Sequence, residues 1–153
     1  MDEIQLRLLT RDTADFESLL LLMSQLVPDD PVIDPNSGYD HWCNMLTQNA
    51  LRFPAVIFQH KVVACCALAI LPNLTRQFRP YALIENVVTD ERFRNQGFGK
   101  RLLRYAQDIA WAQGCYKVML LTGSKRASTL NFYERAGFSK GKKTGFVAYA
   151  PTL

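Results

Sequence analysis

The sequence predicts a single α/β (α+β) domain in which one mixed sheet carries helices on both faces. The chain has 153 residues, about one domain's length and enough to build its own core. Strand-like and helix-like apolar runs alternate in the order β α α β β β α β α β. We expect one domain over residues 1–153, with a hairpin in the first half, residues 1–80, and a β-α-β unit in the second, residues 81–153.

The elements of the first half follow from apolar periodicity and from residues that stop helices. Thr10 or Asp12 is expected to cap the first helix, and Pro28 to end it, because proline cannot continue a helix. His60 and Lys61 indicate a tight turn between two strands. The predicted elements are a strand at 4–9, a helix to residue 26, a loop at 28–38, a helix at about 39–48, and strands at 54–59 and 62–71.

The second half contains the most regular apolar pattern in the chain. Six apolar residues between Phe98 and Ala110 recur at helical spacing and predict one buried helix face. Gly114 is expected to end this helix, and Gly137 to end the next one. The predicted elements are a strand at 81–88, a long helix from residue 98, a strand at 116–122, a helix at 128–136 and a closing strand at 144–150.

Composition excludes several classes of protein. The net charge of +4 suits an anionic small molecule but is too weak and scattered to indicate nucleic acid. The four cysteines include no C-x-x-C pair, so no metal site is expected, and we expect free thiols, with Cys65 and Cys66 on opposite faces of a strand. The N-terminus does not resemble a signal peptide, and no apolar run approaches the ~20 residues that cross a membrane. We therefore expect a soluble, cytoplasmic protein without a membrane partner.

The segment 87–100, between a buried strand and the long helix, carries the clearest functional signal. Glycines at such a junction let the backbone approach a ligand, and the unpaired N–H groups of the helix start favour an anion. Arg94 and Lys100 add positive charge there, so a phosphate or pyrophosphate is expected. The spacing fits neither a Walker A loop, because Arg94 replaces the first glycine, nor a dinucleotide fingerprint, because Leu102 takes the third small position.

The pattern R-x-x-G-x-G from Arg94 to Gly99 resembles the pyrophosphate loop of the GNAT-type N-acetyltransferases, which use acetyl-CoA. A second stretch, N-F-Y-E-R-A-G-F at residues 131–138, is similar to another signature of that family. Together the two cover residues 81–149, nearly half of the chain. The resemblance implies the GNAT fold, with a mostly antiparallel sheet of about six or seven strands and a splay between strands 4 and 5.

The resemblance also implies an acetyl-CoA site and no metal. Pantetheine would enter the splay, and backbone N–H groups of residues 95–100 would hold the pyrophosphate. Asn131 matches a position whose side chain often binds pantetheine. The implied cofactor-binding residues are Val87, Val88, Arg94, Asn95, Gln96, Gly97, Phe98, Gly99, Lys100, Thr122, Asn131 and Tyr133.

The implied reaction is direct attack of an amine on the thioester within a ternary complex. Tyr133 matches the family's tyrosine near the cofactor sulfur and is the expected general acid, since a phenol stays protonated at neutral pH. Glu85 is the expected base, as a carboxylate buried in an apolar strand and facing away from Asn86; His41 is a rival. The N–H of Val88 is expected to polarise the acetyl carbonyl.

The acceptor is expected to be a small-molecule primary amine, with phosphate- and phosphonate-bearing amines as candidates. Residues 114–117 resemble the glucosamine-phosphate acetyltransferases, although Asn86 stands where those enzymes usually carry an acid. Cations that could bind such an anion, or the phosphate of CoA, are Arg76, Arg79, Lys125 and Arg126, whereas Asp29, Asp30 and Asp34 would attract a cationic amine.

Two other functions stay open, a protein lysine or N-terminal acetyltransferase and a non-catalytic CoA sensor. By analogy with the family we also expect a homodimer, joined through the run from Phe146 to Tyr149.

Overall fold

The computed structural model describes residues 3–151, which fold around one six-stranded sheet. Helices α1 and α2 precede most of the sheet, and α3 and α4 follow strands β5 and β6. A short 3₁₀ turn, Glu91–Phe93, lies between β5 and α3. The elements are β1 Gln5–Leu8, α1 Thr13–Leu26, α2 Pro35–Met45, β2 Leu51–Arg52, β3 Pro54–Phe58, β4 Lys61–Leu71, β5 Tyr81–Thr89, α3 Phe98–Ala112, β6 Val118–Leu120 and α4 Ala127–Arg135.

The sheet is mixed and mostly antiparallel, as expected. Its order is β1-β3-β4-β5-β6, and the short β2 pairs separately with β4. Every pairing is antiparallel except that of β5 with β6. The parallel pairing extends only from Ala82 opposite Val118 to Ile84 opposite Leu120. Beyond Ile84 the two strands separate. This is the splay that the family resemblance implied between strands 4 and 5, which are β5 and β6 in this structure because the short β2 was not predicted.

Helices cover both faces of the sheet. On one face α3 buries Leu102, Leu103 and Ala106 against β3, β4 and β5. On the other face, α1 and α2 form a second core. Neighbouring residues Cys65 and Cys66 of β4 belong to opposite cores, so the predicted alternation is confirmed there.

Helix α1 is fixed to the sheet by its first turn. Asp12 caps it, accepting a hydrogen bond from the N–H of Ala14 (2.9 Å). The buried Asp15 carboxylate accepts two hydrogen bonds from Arg7 of β1 (2.8 and 2.7 Å) and two from Thr10. Burial alone would raise the pKa of Asp15, but these hydrogen bonds outweigh it and hold the pKa below its usual value. The carboxylate therefore stays charged and ties α1 to β1.

Two boundaries differ from the prediction for local reasons. Helix α2 begins at Pro35 rather than near residue 39, because the Asp34 carboxylate caps it through the Ser37 N–H (2.9 Å) and proline suits a first helical position. The hairpin turn is formed by Gln59 and His60, both at positive φ, one residue earlier than predicted.

The predicted closing strand at 144–150 is wrong, because these residues form no strand. The alternating apolar pattern is typical of a strand, but a strand is stable only when a neighbour pairs with it. Gly145 passes close to Leu121, beyond the end of β6, and the side chains of Phe146, Val147 and Tyr149 are left exposed. The two-residue β2 was not predicted, because two residues are too few to show the alternation of apolar and polar side chains that indicates a strand.

Three further observations concern membrane-spanning helices, metal-ligating side chains and the cysteines. None of the helices described over residues 3–151 is long and apolar enough to cross a membrane. The same residues contain no cluster of three or more metal-ligating side chains. The four cysteines are free thiols, and all but Cys43 are buried.

Candidate active site

The centre of the site is a bulge in β5, just beyond the point where β5 and β6 separate. Ala67 of β4 pairs with Glu85, and Cys65 pairs with Val88. Two residues of β5, Asn86 and Val87, therefore stand opposite Cys66 alone. Asn86 adopts a φ of 54°, in the left-handed region. The bulge interrupts the strict alternation of side chains, so the expected opposition of Glu85 and Asn86 does not hold here.

A large cleft opens beside this strand, between the end of β5, the start of α3 and helix α4. Its volume is about 1050 Å³. The structure brings nine of the predicted site residues to its walls: Val87, Val88, Arg94, Asn95, Gly97, Phe98, Gly99, Lys100 and Tyr133. Residues that sequence reasoning did not assign to the cofactor also line it, from the end of α1 and the first turn of α4: Gln25, Leu26, Ser128 and Thr129.

The start of α3 presents unpaired backbone donors to this cleft. Gly97 precedes the helix at a φ of 82°, a conformation that glycine adopts without strain, and no side chain caps the helix. The first helical bond joins the N–H of Arg101 to the carbonyl of Gly97 (3.1 Å). The N–H groups of the three preceding residues, 98–100, thus have no helical partner. Cleft cations surround them: Arg94, Lys100, Arg126 and Arg135. The arrangement suits a phosphate or pyrophosphate.

The loop before α3 is held by an ion pair between the buried Asp90 and the exposed Arg92. The Asp90 carboxylate accepts hydrogen bonds from the side chain of Arg92 (3.1 and 2.6 Å), and the pair holds the pKa of Asp90 below its usual value. The backbone N–H of Asp90 donates to Val63 of β4 (2.9 Å). Gln25 of α1 accepts from the N–H of Glu91 (2.9 Å). These contacts fix the loop to the sheet and to α1 together.

Glycine at position 99 allows α3 and α4 to approach each other. A Cβ atom there would lie 3.0 Å from two ring carbons of Phe132 and 3.1 Å from Oγ1 of Thr89. Phe132 belongs to α4 and packs against the core. Because both walls of the cleft meet at this contact, any side chain at position 99 would change the width of the cleft.

Tyr133 reaches the cleft from α4 and packs between aromatic rings. Its ring centroid lies 5.0 Å from that of Phe132 and 6.4 Å from that of Phe138. Burial raises the pKa of the Tyr133 hydroxyl, and the neighbouring Cys66 and Glu85 raise it further. Within residues 3–151 the hydroxyl has no hydrogen-bond partner, so its proton is available to a group in the cleft.

Four predicted site residues lie outside the walls of this cleft. Gln96 is exposed and turns back toward the carbonyl of Arg92 (3.5 Å). The Thr122 hydroxyl accepts from the N–H of Ser124 (3.2 Å) and so shapes the loop that leads into α4. Asn131 is exposed on α4. Glu85 is exposed as well.

The expectation that Glu85 is a buried carboxylate is therefore wrong. Its strand looks apolar in sequence, but β5 loses its β6 neighbour just after Ile84. Solvent consequently reaches the next residue. Glu85 still lies near enough to Tyr133 for its charge to raise the pKa of the phenol.

The direction of the Val88 N–H also differs from the prediction. Asp90 donates its N–H to Val63 of β4, and Val88 pairs with Cys65 in the same ladder. Backbone groups two residues apart face the same neighbouring strand in an antiparallel pair. The N–H of Val88 therefore faces β4 rather than the gap.

Of the four cations expected to bind an anion, one lines the cleft and three lie outside it. Arg79 donates to the carbonyls of Gly114 and Cys115 (both 3.2 Å), and Arg76 lies over the ring of Tyr116, 5.8 Å from its centroid. Both are thus at the far end of α3, away from the cleft. Arg126 lines the cleft, whereas Lys125 is exposed outside it.

A second cavity, of about 350 Å³, adjoins the cleft on the α1 and α2 side of the sheet. Neighbouring residues of β5 line the two: Asn86 lines the cavity, and Val87 and Val88 line the cleft. Helix α1 likewise contributes Met23 to the cavity and Gln25 to the cleft. His41 lines the cavity from α2.

Comparison with known proteins places these features in a family. The model of the acetyltransferase (GNAT) family matches residues 19–138. A protein of Trypanosoma brucei brucei described as a glucosamine 6-phosphate N-acetyltransferase is 31% identical over 90% of this chain and 91% of its own length. One of Arabidopsis thaliana with the same description is 33% identical over 52% of this chain and 51% of its own.

The fold is shared with solved structures. A putative acetyltransferase from Agrobacterium tumefaciens str. C58 is 40% identical, covers 95% of this chain with 99% of its own, and superposes with a TM-score of 0.89. The overall fold of this chain is therefore that of a solved acetyltransferase structure.

Replacement of Gly99 by alanine should push α3 and α4 apart and weaken cofactor binding. The new methyl group would overpack the contact with Phe132, at a cost of about 1–3 kcal/mol in the free energy of unfolding. The resulting shift of the cleft walls should raise the Kd for CoA about tenfold, measured by titration calorimetry beside a thermal melt. Gly123→Ala is the matched control, since a Cβ there meets no atom within 4 Å. Equal affinities for the two variants would show that the contact does not set the width of the site.

Proposed function

The chain belongs to the acetyltransferase (GNAT) family and is an N-acetyltransferase; we propose that it transfers acetyl from acetyl-CoA to the primary amine of a small molecule. GNAT acetyltransferases use acetyl-CoA. We propose that CoA lies in the large cleft, with its pyrophosphate at the start of α3 and its pantetheine between β5 and β6. The acetyl group would then reach the bulge of β5.

This proposal rests on the position of the two cavities beside consecutive residues of β5. A ternary complex requires that the acetyl donor and the amine reach one point from separate sites. Consecutive residues of β5 line the second cavity, through Asn86, and the large cleft, through Val87 and Val88; Tyr133 also lines the cleft. The second cavity, at about 350 Å³, has the size of a small-molecule site. The description of the two relatives likewise supports a small-molecule acceptor over a protein.

The proposed reaction needs two proton transfers and no covalent intermediate on the protein. The amine nitrogen attacks the acetyl carbonyl carbon, and the tetrahedral intermediate collapses by breaking the carbon–sulfur bond. Tyr133 gives its proton to the departing CoA thiolate. Glu85, acting through water because it lies outside both cavities, takes the proton that the amine loses. Backbone N–H groups on the gap side of β5 would polarise the carbonyl in place of Val88.

We also propose that the protein forms a homodimer through the segment from Phe146 to Tyr149. Both aromatic side chains are about 90% exposed, and Val147 between them is 62% exposed. Such a contiguous exposed apolar segment is typical of a protein–protein contact.

Sedimentation analysis should therefore give twice the 17.4 kDa of one chain. Aspartate at Phe146 and Tyr149 together should shift the protein to monomer. Leu74→Asp, at a site that is 86% exposed elsewhere on the surface, should leave the dimer intact. A monomeric wild-type protein at micromolar concentration would contradict the proposal.

Tyr133→Phe tests the general acid. The variant keeps the ring packing but removes the proton donor, so kcat should fall by about 100-fold or more. The Kd for CoA should stay nearly unchanged. CoA release, followed with a thiol reagent, gives the first quantity and calorimetry the second. Tyr105→Phe, which removes a hydroxyl from α3, should turn over like the wild type. Wild-type kcat in Tyr133→Phe would remove this residue from the chemistry.

Glu85→Gln tests the base through the pH dependence. An alkylammonium with a pKa of about 10.4 is almost fully protonated near neutrality, so a base matters most at low pH. The variant should lose most of its activity at about pH 6 and approach wild-type activity at about pH 10, where the free amine is abundant. Glu17→Gln, on the exposed side of α1, is the matched control. If the profiles of Glu85→Gln and wild type superimpose, another group accepts the proton.

A further inference from the structure

We propose that the acceptor amine carries an uncharged aromatic or branched aliphatic body, which binds in the second cavity with its amino group at Asn86. We call this cavity the acceptor cavity; it lies between α1, α2 and strands β4 and β5. The inference rests on the proposed function, since it takes the amine to approach the cleft from this side. It narrows that function from small amines in general to apolar ones.

The walls of the acceptor cavity are apolar on every element that contributes to them. Helix α1 supplies Phe16, Leu20 and Met23. Strand β4 and the buried Phe53, which lies between β2 and β3, form the floor. Trp42 of α2 is buried, and its indole N–H donates to the carbonyl of Thr10 (2.9 Å). The donor of the indole is thus already used, and the ring offers carbon to a ligand.

Charge is what separates the acceptor cavity from the cofactor cleft. Among the described residues that line the acceptor cavity there is no lysine, arginine, aspartate or glutamate, and the polar side chains are those of His41 and Asn86. The cleft, by contrast, carries four cations in its walls. A phosphate placed in the acceptor cavity would lose its hydration and find no lysine or arginine there, with only the His41 imidazole and the Asn86 amide to compensate, which is unfavourable. An apolar body would gain free energy from the same transfer.

The acidic loop between α1 and α2 does not supply the missing charge. The Asp34 carboxylate is engaged as the cap of α2, accepting from the N–H and the hydroxyl of Ser37 (2.9 and 2.8 Å). Asp29 and Asp30 are exposed and do not line the cavity. The same loop instead places Ile33 at the cavity, against Gly38, where a Cβ would lie 2.5 Å from Cγ2 of Ile33. The loop therefore closes the cavity with an apolar residue.

Asn86 supplies a polar group at the end of the cavity that meets the cleft. Its carboxamide oxygen can accept a hydrogen bond from the amine and so orient the nitrogen lone pair. An uncharged amide also gives the protonated amine less stabilisation than a carboxylate at this position would. An amide at the bulge therefore favours the neutral, nucleophilic form of the acceptor.

A matched pair of amines tests the proposal in the wild-type protein. 3-Phenylpropylamine and 3-aminopropylphosphonate share a primary amine and a three-carbon spacer and differ in the group that would enter the cavity. We expect kcat/KM, from CoA release, to favour the phenyl compound by at least about tenfold. Equal or greater kcat/KM for the phosphonate, or for glucosamine 6-phosphate, would overturn the inference and leave the proposed function standing. Retained CoA binding with no turnover of any amine would instead overturn the proposed function.

A positive charge introduced at the rim of the acceptor cavity gives a second test, with kcat/KM for 3-phenylpropylamine as the measured quantity. Met45 ends α2 at the rim of the cavity and is 42% exposed, so a lysine there is tolerated and suits the helix end. Met45→Lys should lower kcat/KM for 3-phenylpropylamine about tenfold. Asn44→Lys, which adds the same charge beside the rim but at a residue that does not line the cavity, should stay near wild type. An unchanged kcat/KM for 3-phenylpropylamine in Met45→Lys would overturn the proposal.

Binding can be followed without turnover through Trp42. The chain has two tryptophans, and Trp111→Phe on the half-exposed face of α3 leaves Trp42 as the reporter. In this variant 3-phenylpropylamine, added with CoA present, should change the Trp42 fluorescence saturably, whereas 3-aminopropylphosphonate should not. The opposite pattern would show that the cavity takes the anion and that the inference is wrong.

Discussion

The separation of β5 from β6 is the constraint on which the rest of the structure depends. Parallel pairing holds the two strands together for three residues, up to Ile84. Beyond it, β5 stays attached to β4 but has no neighbour on its other edge. An edge with unpaired backbone groups is a liability unless something covers it. In this protein the cleft lies along that edge, so an extended ligand with its own amide groups can complete the pairing.

The bulge in β5 gives the open edge two sides with different chemistry. It sets Asn86 and Val87 opposite a single residue of β4, which places Asn86 in the cavity under α1 and α2 and Val87 in the cleft beside α3. A regular strand would also send alternate side chains to the two faces. The bulge adds an extra residue at this point and locally disrupts the pairing with β4. The cations, the free helix N–H groups and Tyr133 lie on the cleft side. The apolar walls lie on the other, so the two ligands meet across one strand.

Much of this could be predicted from the sequence, and the failures have local causes. The glycines at 97 and 99 and the apolar face of α3 specify their own geometry through backbone freedom and helical period, and the structure places them as expected. Glu85 looked buried because its neighbours in sequence are apolar, but its exposure depends on where a distant strand ends. Residues 144–150 have the period of a strand but form no pairing with a neighbouring strand. Both errors concern pairing partners, which local sequence does not encode.

The position of Glu85 also links the two proton transfers. Burial chiefly keeps the pKa of Tyr133 above its usual value, and the neighbouring Cys66 and the negative charge of Glu85 raise it further, so the phenol holds its proton in the absence of an amine. Under the proposed assignment, Glu85 becomes neutral when it takes up the amine proton. Its contribution to the raised pKa of Tyr133 then disappears, and the phenol becomes a stronger acid. The proton is thus released most readily after the amine has lost its own, when the departing thiolate needs it. An exposed Glu85 serves this coupling better than a buried one, because water can carry protons to it while its charge still reaches the phenol.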